Sequence, residues 1–311
     1  MGVSLKALSK SKKVRKSAAR RGYDEDLDFL VNDEDVSVRE IVAAYGRMKD
    51  LDILVNDPSY RVRAVVASHG YPQHLDVLIN DDSCVVRAFV ANYGRMKDLD
   101  VLMYDKSFKV RIAVAKHGYP RHLDHLVNDK NWRVRAIVAK YGRTNHLDSL
   151  IYDNDVAVRQ VIAKYGFPEH LDVLINDNDW RVRAEVAQRG RDKDLDKLVH
   201  DDISFVRLEV AKHKRDTDLD TLVNNTDIDV RMEVAKIGRP KDLDKLVHDE
   251  CACIRIQVVK HGRPEDLNIL INDENYDVVK EILGYMKPKD IEKLKNKSQH
   301  VLRYLHETMN I

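Results

Sequence analysis

Residues 57–80 read DPSYRVRAVVASHGYPQHLDVLIN. Asp57 before Pro58 has the form of an N-cap and first helical residue, because proline gives up only an N–H that a helix start leaves unpaired. Val62, Val66 and Ala67 then recur at helical spacing. Gly70 can close that helix in the left-handed conformation. Pro72 opens a second helix of about nine residues, ending near Asn80, which turns Leu75 and Leu78 inward. A helix this short is a candidate for partly 3₁₀ geometry, and it needs neighbours to hold it. Asp76 on this second helix suits the positive end of its dipole.

The same pattern returns every 24 residues without insertion or deletion. Arginine stands at positions 15, 39, 63, 87, 111, 135, 159, 183, 207, 231 and 255, Val279 takes its place once, and Arg303 returns on phase. The closing glycine recurs with one break, at Lys214, and a small core residue recurs from Ala43 to Ala235. A fixed period of this length marks stacked supersecondary units. The expected fold is all-α: a right-handed α-solenoid, or superhelix, of about twelve helix pairs of 24 residues. One solenoid domain is expected over residues 1–311, with a basic N-terminal cap at 1–23, regular repeats at 24–283 and a C-terminal cap at 284–311.

Net charge is close to zero, with 53 basic and 52 acidic side chains, which argues against a generic polyanion binder. The charge is nevertheless uneven: the first 23 residues carry eight basic side chains and no acid. Three cysteines cannot build a disulfide framework, so Cys84, Cys251 and Cys253 read as thiols in a reducing, cytoplasmic setting. No apolar run approaches the length of a membrane span.

On a helical wheel Arg63 falls about 60° from Val66, inside the buried arc. A charge there needs a partner, and guanidinium suits a carboxylate in two-point contact. The acid six residues earlier is the natural candidate, which pairs Arg63 with Asp57, Arg87 with Asp81, Arg111 with Asp105, Arg135 with Asp129, Arg159 with Asp153 and Arg183 with Asp177. Ladders that also reach the aspartate of an adjacent repeat are expected. Asn225 is the one substitution in the acidic series.

The run Asp57…Val62-Arg63, followed by an apolar helix, resembles the HEAT repeat. The 24-residue period is shorter than ordinary HEAT units and is similar to the leucine-rich repeat variant class, in which an α-helix alternates with a short helix. The resemblance covers nearly the whole chain. It implies a binding scaffold without cofactor; the cysteine cluster that an iron–sulfur branch of the class needs is missing from the sequence.

Inward positions are nearly constant, so individuality must sit on exposed faces. The longer helix, expected on the concave side, carries a basic stripe of Arg61, Lys109, Lys116, Arg133, Lys140, Lys164, Arg181, Lys212, Lys236 and Lys260. A neighbouring position reads Ile41, Val65, Phe89, Ala113, Ile137 and Val161, then changes to Glu185, Glu209, Glu233, Gln257 and Glu281. The shorter helix carries an acidic row from Asp52 to Asp244, read as a solvated surface. His74, His122, His146 and His170 recur at its start, and a second ring position alternates between His and Tyr, the mark of a half-buried ring with a polar tip. No catalytic, cofactor or metal motif emerges. The expectation is a non-catalytic, monomeric scaffold that binds a protein through its concave face. The alternative is a nucleic-acid backbone held on the basic stripe.

Overall fold

A computed structural model describes residues 2–286 and 299–309. Among the described residues there are twenty-four helices and no strand. Eleven long–short pairs run from Lys12–Arg21 with Asp24–Leu30 to Ala252–Val259 with Pro264–Leu270. The long helix Tyr276–Gly284 follows, and Gln299–Met309 is the last helix described. The expected cap at 284–311 lies partly outside the described residues. The chain divides into two compact units, Met1–His170 and Leu171–Ile311.

Within each unit the long helices form one layer and the short helices another. Inside a unit, neighbouring long helices pack directly on each other, and each short helix lying wholly within a unit packs on the long helices of its own and the following repeat. The core between the layers holds Val62, Val66, Ala67, Leu75 and Leu78 and their equivalents in the eleven pairs, essentially excluded from solvent except for Val14 and Leu267, which are half-buried. The apolar spacing produces this directly, because residues three and four apart share one side of a helix.

Details of the repeat depart from the sequence reading. The long helix begins at Tyr60, and Ser59, not Asp57, is its N-cap. Asp57 accepts the backbone N–H of Ser59 at 2.8 Å, so residues 57–59 form a turn with Pro58 ahead of the helix. The short helix is α-helical and seven residues long, Pro72–Leu78, with proline at its first position. Bonds of 3₁₀ type occur at its two ends, from the His74 N–H to the Tyr71 carbonyl at 3.0 Å and from the Asp81 N–H to the Leu78 carbonyl at 3.1 Å. Asp76 is the fifth of these seven residues, too far along to serve the N-terminal dipole.

Gly70 closes its helix at φ +72°, as its spacing implied. Lys214 holds the same backbone conformation at φ +60° without being glycine. Gly142 and Gly166 do not: both are extended, at φ −75° and −69°, and their N–H groups continue the helix to Val138 and Ile162 at 2.7 Å. One residue type thus supports two loop conformations in successive repeats.

The Cys251 and Cys253 sulfurs are bonded to each other, where the sequence read separate thiols. Their spacing of two places both at the start of helix Ala252–Val259. Arg303 does not continue the arginine series: it is exposed, pairs with Glu307 at 2.8 Å and covers the Tyr276 ring at 4.0 Å. Val279, in the arginine position, is fully buried.

Candidate functional site

The inward arginines join successive repeats. Arg63 donates from Nη1 to the carbonyl of Asp57 at 2.6 Å, and from Nε and Nη2 to the two carboxylate oxygens of Asp81 at 2.6 and 2.9 Å. The carboxylate partner is therefore the aspartate of the following repeat, 18 residues on, and not the one six residues back. The Asp57 carboxylate is occupied by Arg39, at 2.6 and 3.0 Å. The same arrangement joins Arg87 to Asp105, Arg111 to Asp129 and Arg135 to Asp153 in the first unit. It joins Arg183 to Asp201, Arg231 to Asp249 and Arg255 to Asp273 in the second. Arg159 donates to the Asp153 carbonyl at 2.7 Å, and Asp177 accepts from the N–H of Asp179 at 2.9 Å. Burial pushes the Asp129 carboxyl up, but the Arg111 hydrogen bonds and the N–H of Asn131 outweigh it and hold the group below the usual carboxylate range.

One rung is defective. Arg207 reaches Asn225 Oδ1 at 3.2 Å through Nη2, while its Nε is buried with no acceptor. An amide offers one acceptor oxygen where the ladder needs two. Asn225→Asp supplies the second acceptor and a charge, and is expected to stabilise the second unit by about 1–2 kcal/mol. Urea denaturation of both proteins checks this; an unchanged midpoint would refute the assignment.

A second ladder, invisible as such in the sequence, runs through the short helices. The acidic row read as solvated surface binds the next repeat in one of two ways. In the ionic form, Arg95 takes Asp98 of its own repeat through Nε at 2.6 Å and Asp76 of the preceding one through Nη2 at 2.7 Å. In the imidazole form, His74 sends Nε2 to Asp52 at 2.7 Å. His122, His146 and His170 reach Asp100, Asp124 and Asp148 likewise, at 2.8–3.1 Å. These four histidines are buried. Where the glycine is extended, His146 and His170 also accept the backbone N–H of Arg143 and Phe167 through Nδ1. Where it is left-handed, the Nδ1 atoms of His74 and His122 are buried without a partner. Among the described residues, no group of three His, Cys, Asp or Glu could hold a metal ion.

The other ring position also closes contacts between repeats. His69 lies over Gly46 and bonds the Ala43 carbonyl through Nε2 at 2.8 Å; Tyr45 lies over Gly22 and donates to the Arg20 carbonyl at 2.6 Å.

The ten basic residues of the expected stripe are all exposed on the long-helix layer. Their neighbours differ between units. In the first, Arg133 covers the Trp132 ring at 4.5 Å, and the Lys140 ammonium is 5.4 Å from the centres of both Tyr141 and Tyr165. Lys164 lies 5.8 Å from the Tyr165 ring, and Arg61 pairs with Glu40 at 2.7 Å. In the second, Arg181 pairs with Asp179 at 2.6 Å, Lys212 with Glu209 at 2.6 Å and Lys236 with Glu233 at 3.3 Å. Of the apolar row, Ile41, Val65, Ile137 and Val161 are half-buried, Phe89 is exposed and Ala113 is buried. Trp180 packs edge-on against Phe205 at 5.2 Å.

No protein-family model and no curated protein matches the chain. A solved structure described as a leucine-rich repeat variant with a novel repetitive structural motif is similar to it. The two are 25% identical, with a TM-score of 0.56, over 67% of this chain and 88% of that one. The chain is a helical repeat solenoid. Two further structures align over most of the chain at low TM-score. YibA of Escherichia coli is 17% identical, with a TM-score of 0.27, over 82% of this chain and 97% of that one. A computationally designed armadillo repeat protein for modular peptide recognition is 13% identical, with a TM-score of 0.12, over 85% and 96%. No helix among the described residues is long and apolar enough to cross a membrane.

Proposed function

We propose that this solenoid is a non-catalytic scaffold that binds a protein partner through the exposed face of its long helices. One observation supports the reading. The two ladders and the apolar core use nearly the same residues in every repeat, while the outward long-helix positions differ from repeat to repeat. Constant inward residues serve stacking; variable outward ones are where a repeat protein carries recognition. The short-helix face is less suited, because its aspartates and arginines are already joined across repeats.

The test uses a photo-crosslinking amino acid at single exposed sites in the full chain. Ser68 and Gln188 sample the long-helix face, and Val77 samples the short-helix face. Incubation in an extract of the source cells should give discrete protein adducts, identified by mass spectrometry, from the long-helix sites only. Adducts from Val77 alone, or none from any site, would overturn the proposal.

A further inference from the structure

The long-helix faces of the two units differ in one respect that selects a partner. Outward residues on a helix follow the spacing i, i+3, i+4, i+7. In helix Phe108–Ala115 and the lysine just after it, that spacing gives Lys109 and Lys116, both exposed, and Ile112, half-buried, with Ala113 buried between them. In the adjoining helix Trp132–Tyr141 the same line is Arg133, Ala136, Ile137, Lys140. Each line has a cation at both ends and apolar residues between. Helices Tyr60–Ser68, Cys84–Tyr93, Phe108–Ala115, Trp132–Tyr141 and Val156–Tyr165 contain no acidic residue at all. Among the described residues none of Lys109, Lys116, Arg133 and Lys140 meets a carboxylate. In the second unit the middle of the line is Glu185, Glu209 and Glu233 in three successive helices and Gln257 in the next, and Glu209 and Glu233 neutralise the lysine beside them.

We infer that the face formed by helices Phe108–Ala115 and Trp132–Tyr141 binds an extended acidic polypeptide segment with apolar side chains. This rests on the protein-binding reading above and specifies the partner's chemistry and its unit. Two rows of cations stand about 10 Å apart, seven residues of helix rise, on either side of an apolar band. Neighbouring helices add about 8–10 Å in the other direction. An extended chain laid across the helices along the apolar band keeps both rows of cations within reach of glutamate side chains, while apolar side chains turned toward the layer meet Ile112 and Ile137. The cations resting on rings are held in place yet remain charged, which lowers the ordering cost on binding. A single-stranded nucleic acid fits less well. Stacking needs open ring faces, and those of Trp132, Tyr141 and Tyr165 carry Arg133 or Lys140.

The test is fluorescence anisotropy on the full chain at two salt concentrations. The probes are a labelled peptide of about ten residues with glutamates flanking a leucine pair, the same peptide with glutamines, and oligo-dT and oligo-rA of similar length. The acidic peptide should bind at least about tenfold more tightly than its glutamine counterpart and than either oligonucleotide. Lys116→Glu with Lys140→Glu should weaken it by about tenfold or more, with the far-ultraviolet circular dichroism unchanged, while Lys212→Glu with Lys236→Glu should change it by less than about twofold. Equal binding of the two peptides, tighter binding of an oligonucleotide, or equal weakening by both variant pairs would overturn the inference. Crosslinks from Ser68 or Gln188 in the presence of such a failure would leave the broader reading intact; loss of both would remove both.

Discussion

Arg111→Ala is expected to destabilise the first unit by about 3 kcal/mol, because it removes one partner of a buried ion pair and leaves the other. Arg111 is only 6% exposed, and three of its donors are engaged: Nε to Asp129 Oδ2 at 2.5 Å, Nη2 to Oδ1 at 2.8 Å, and Nη1 to the Asp105 carbonyl at 2.7 Å. Truncation strands a carboxylate and a carbonyl in a region with little water. Lysine cannot restore the pair, since a single ammonium does not span two carboxylate oxygens and a carbonyl in this fork geometry. Arg181→Ala, an exposed arginine bonded to Asp179, serves as the control and should leave the midpoint unchanged. The pH dependence follows from Asp129, whose carboxyl is held below its ordinary value. A depressed carboxyl contributes stability that is fully present above the unfolded value of about 3.9 and is lost as pH falls through the folded one. The gap between wild type and Arg111→Ala should therefore be present at neutral pH and should close as acid protonates Asp129, which burial makes easier in the variant once Arg111 is gone. Urea titrations at neutral and acidic pH measure it. A full gap persisting at the lowest pH would mean that packing, not the ion pair, sets the effect.

The core and its period were legible because apolar spacing and the recurrent arginine depend only on local helix geometry. The inward direction of Arg63 was legible on the same grounds. Its carboxylate partner was not. Asp57 and Asp81 hold the same place in successive repeats, so the letters alone could not say whether the contact ran six residues back or 18 forward. The turn at residues 57–59 decides it, by pointing the Asp57 side chain to Arg39 and its carbonyl to Arg63. The His–Asp rungs were missed for a related reason: His74 and Asp52 are 22 residues apart, and each looked complete as a helix-start ring and a solvated acid. The extended form of Gly142 and Gly166 had no signal, because glycine permits both conformations at little cost. On the surface, the change from Ile137 and Val161 to Glu185 and Glu209 was visible as a change of letters. What it does to the charge of the neighbouring lysines needed the side-chain positions.

Gly238→Ala and Gly262→Ala, one repeat apart, separate two demands on the closing glycine. Both positions have positive φ, +76° and +69°. A Cβ in that region costs about 1 kcal/mol wherever it stands. Lys214 shows that such a residue is tolerated, with its N–H still bonded to the Ala211 carbonyl at 3.0 Å. The surroundings differ. Around Gly262 an added Cβ would meet nothing within 4 Å, so only the backbone cost should appear. At Gly238 it would lie 2.2 Å from Cε1 and 2.6 Å from Nδ1 of His261, whose Nε2 bonds the Ala235 carbonyl at 2.7 Å. The ring must swing away, which breaks that bond and uncovers the end of the preceding helix. The lost hydrogen bond adds about 1 kcal/mol, for a total of about 2 kcal/mol against about 1 at Gly262. Adding His261→Ala to Gly238→Ala supplies the decisive comparison. With the ring gone, the glycine substitution should cost no more than it does at Gly262, a coupling that a double-mutant cycle reads directly. If the two glycine substitutions cost the same in the presence of His261, the ring contact is not what excludes a side chain at that position. Backbone conformation alone would then explain the glycine series.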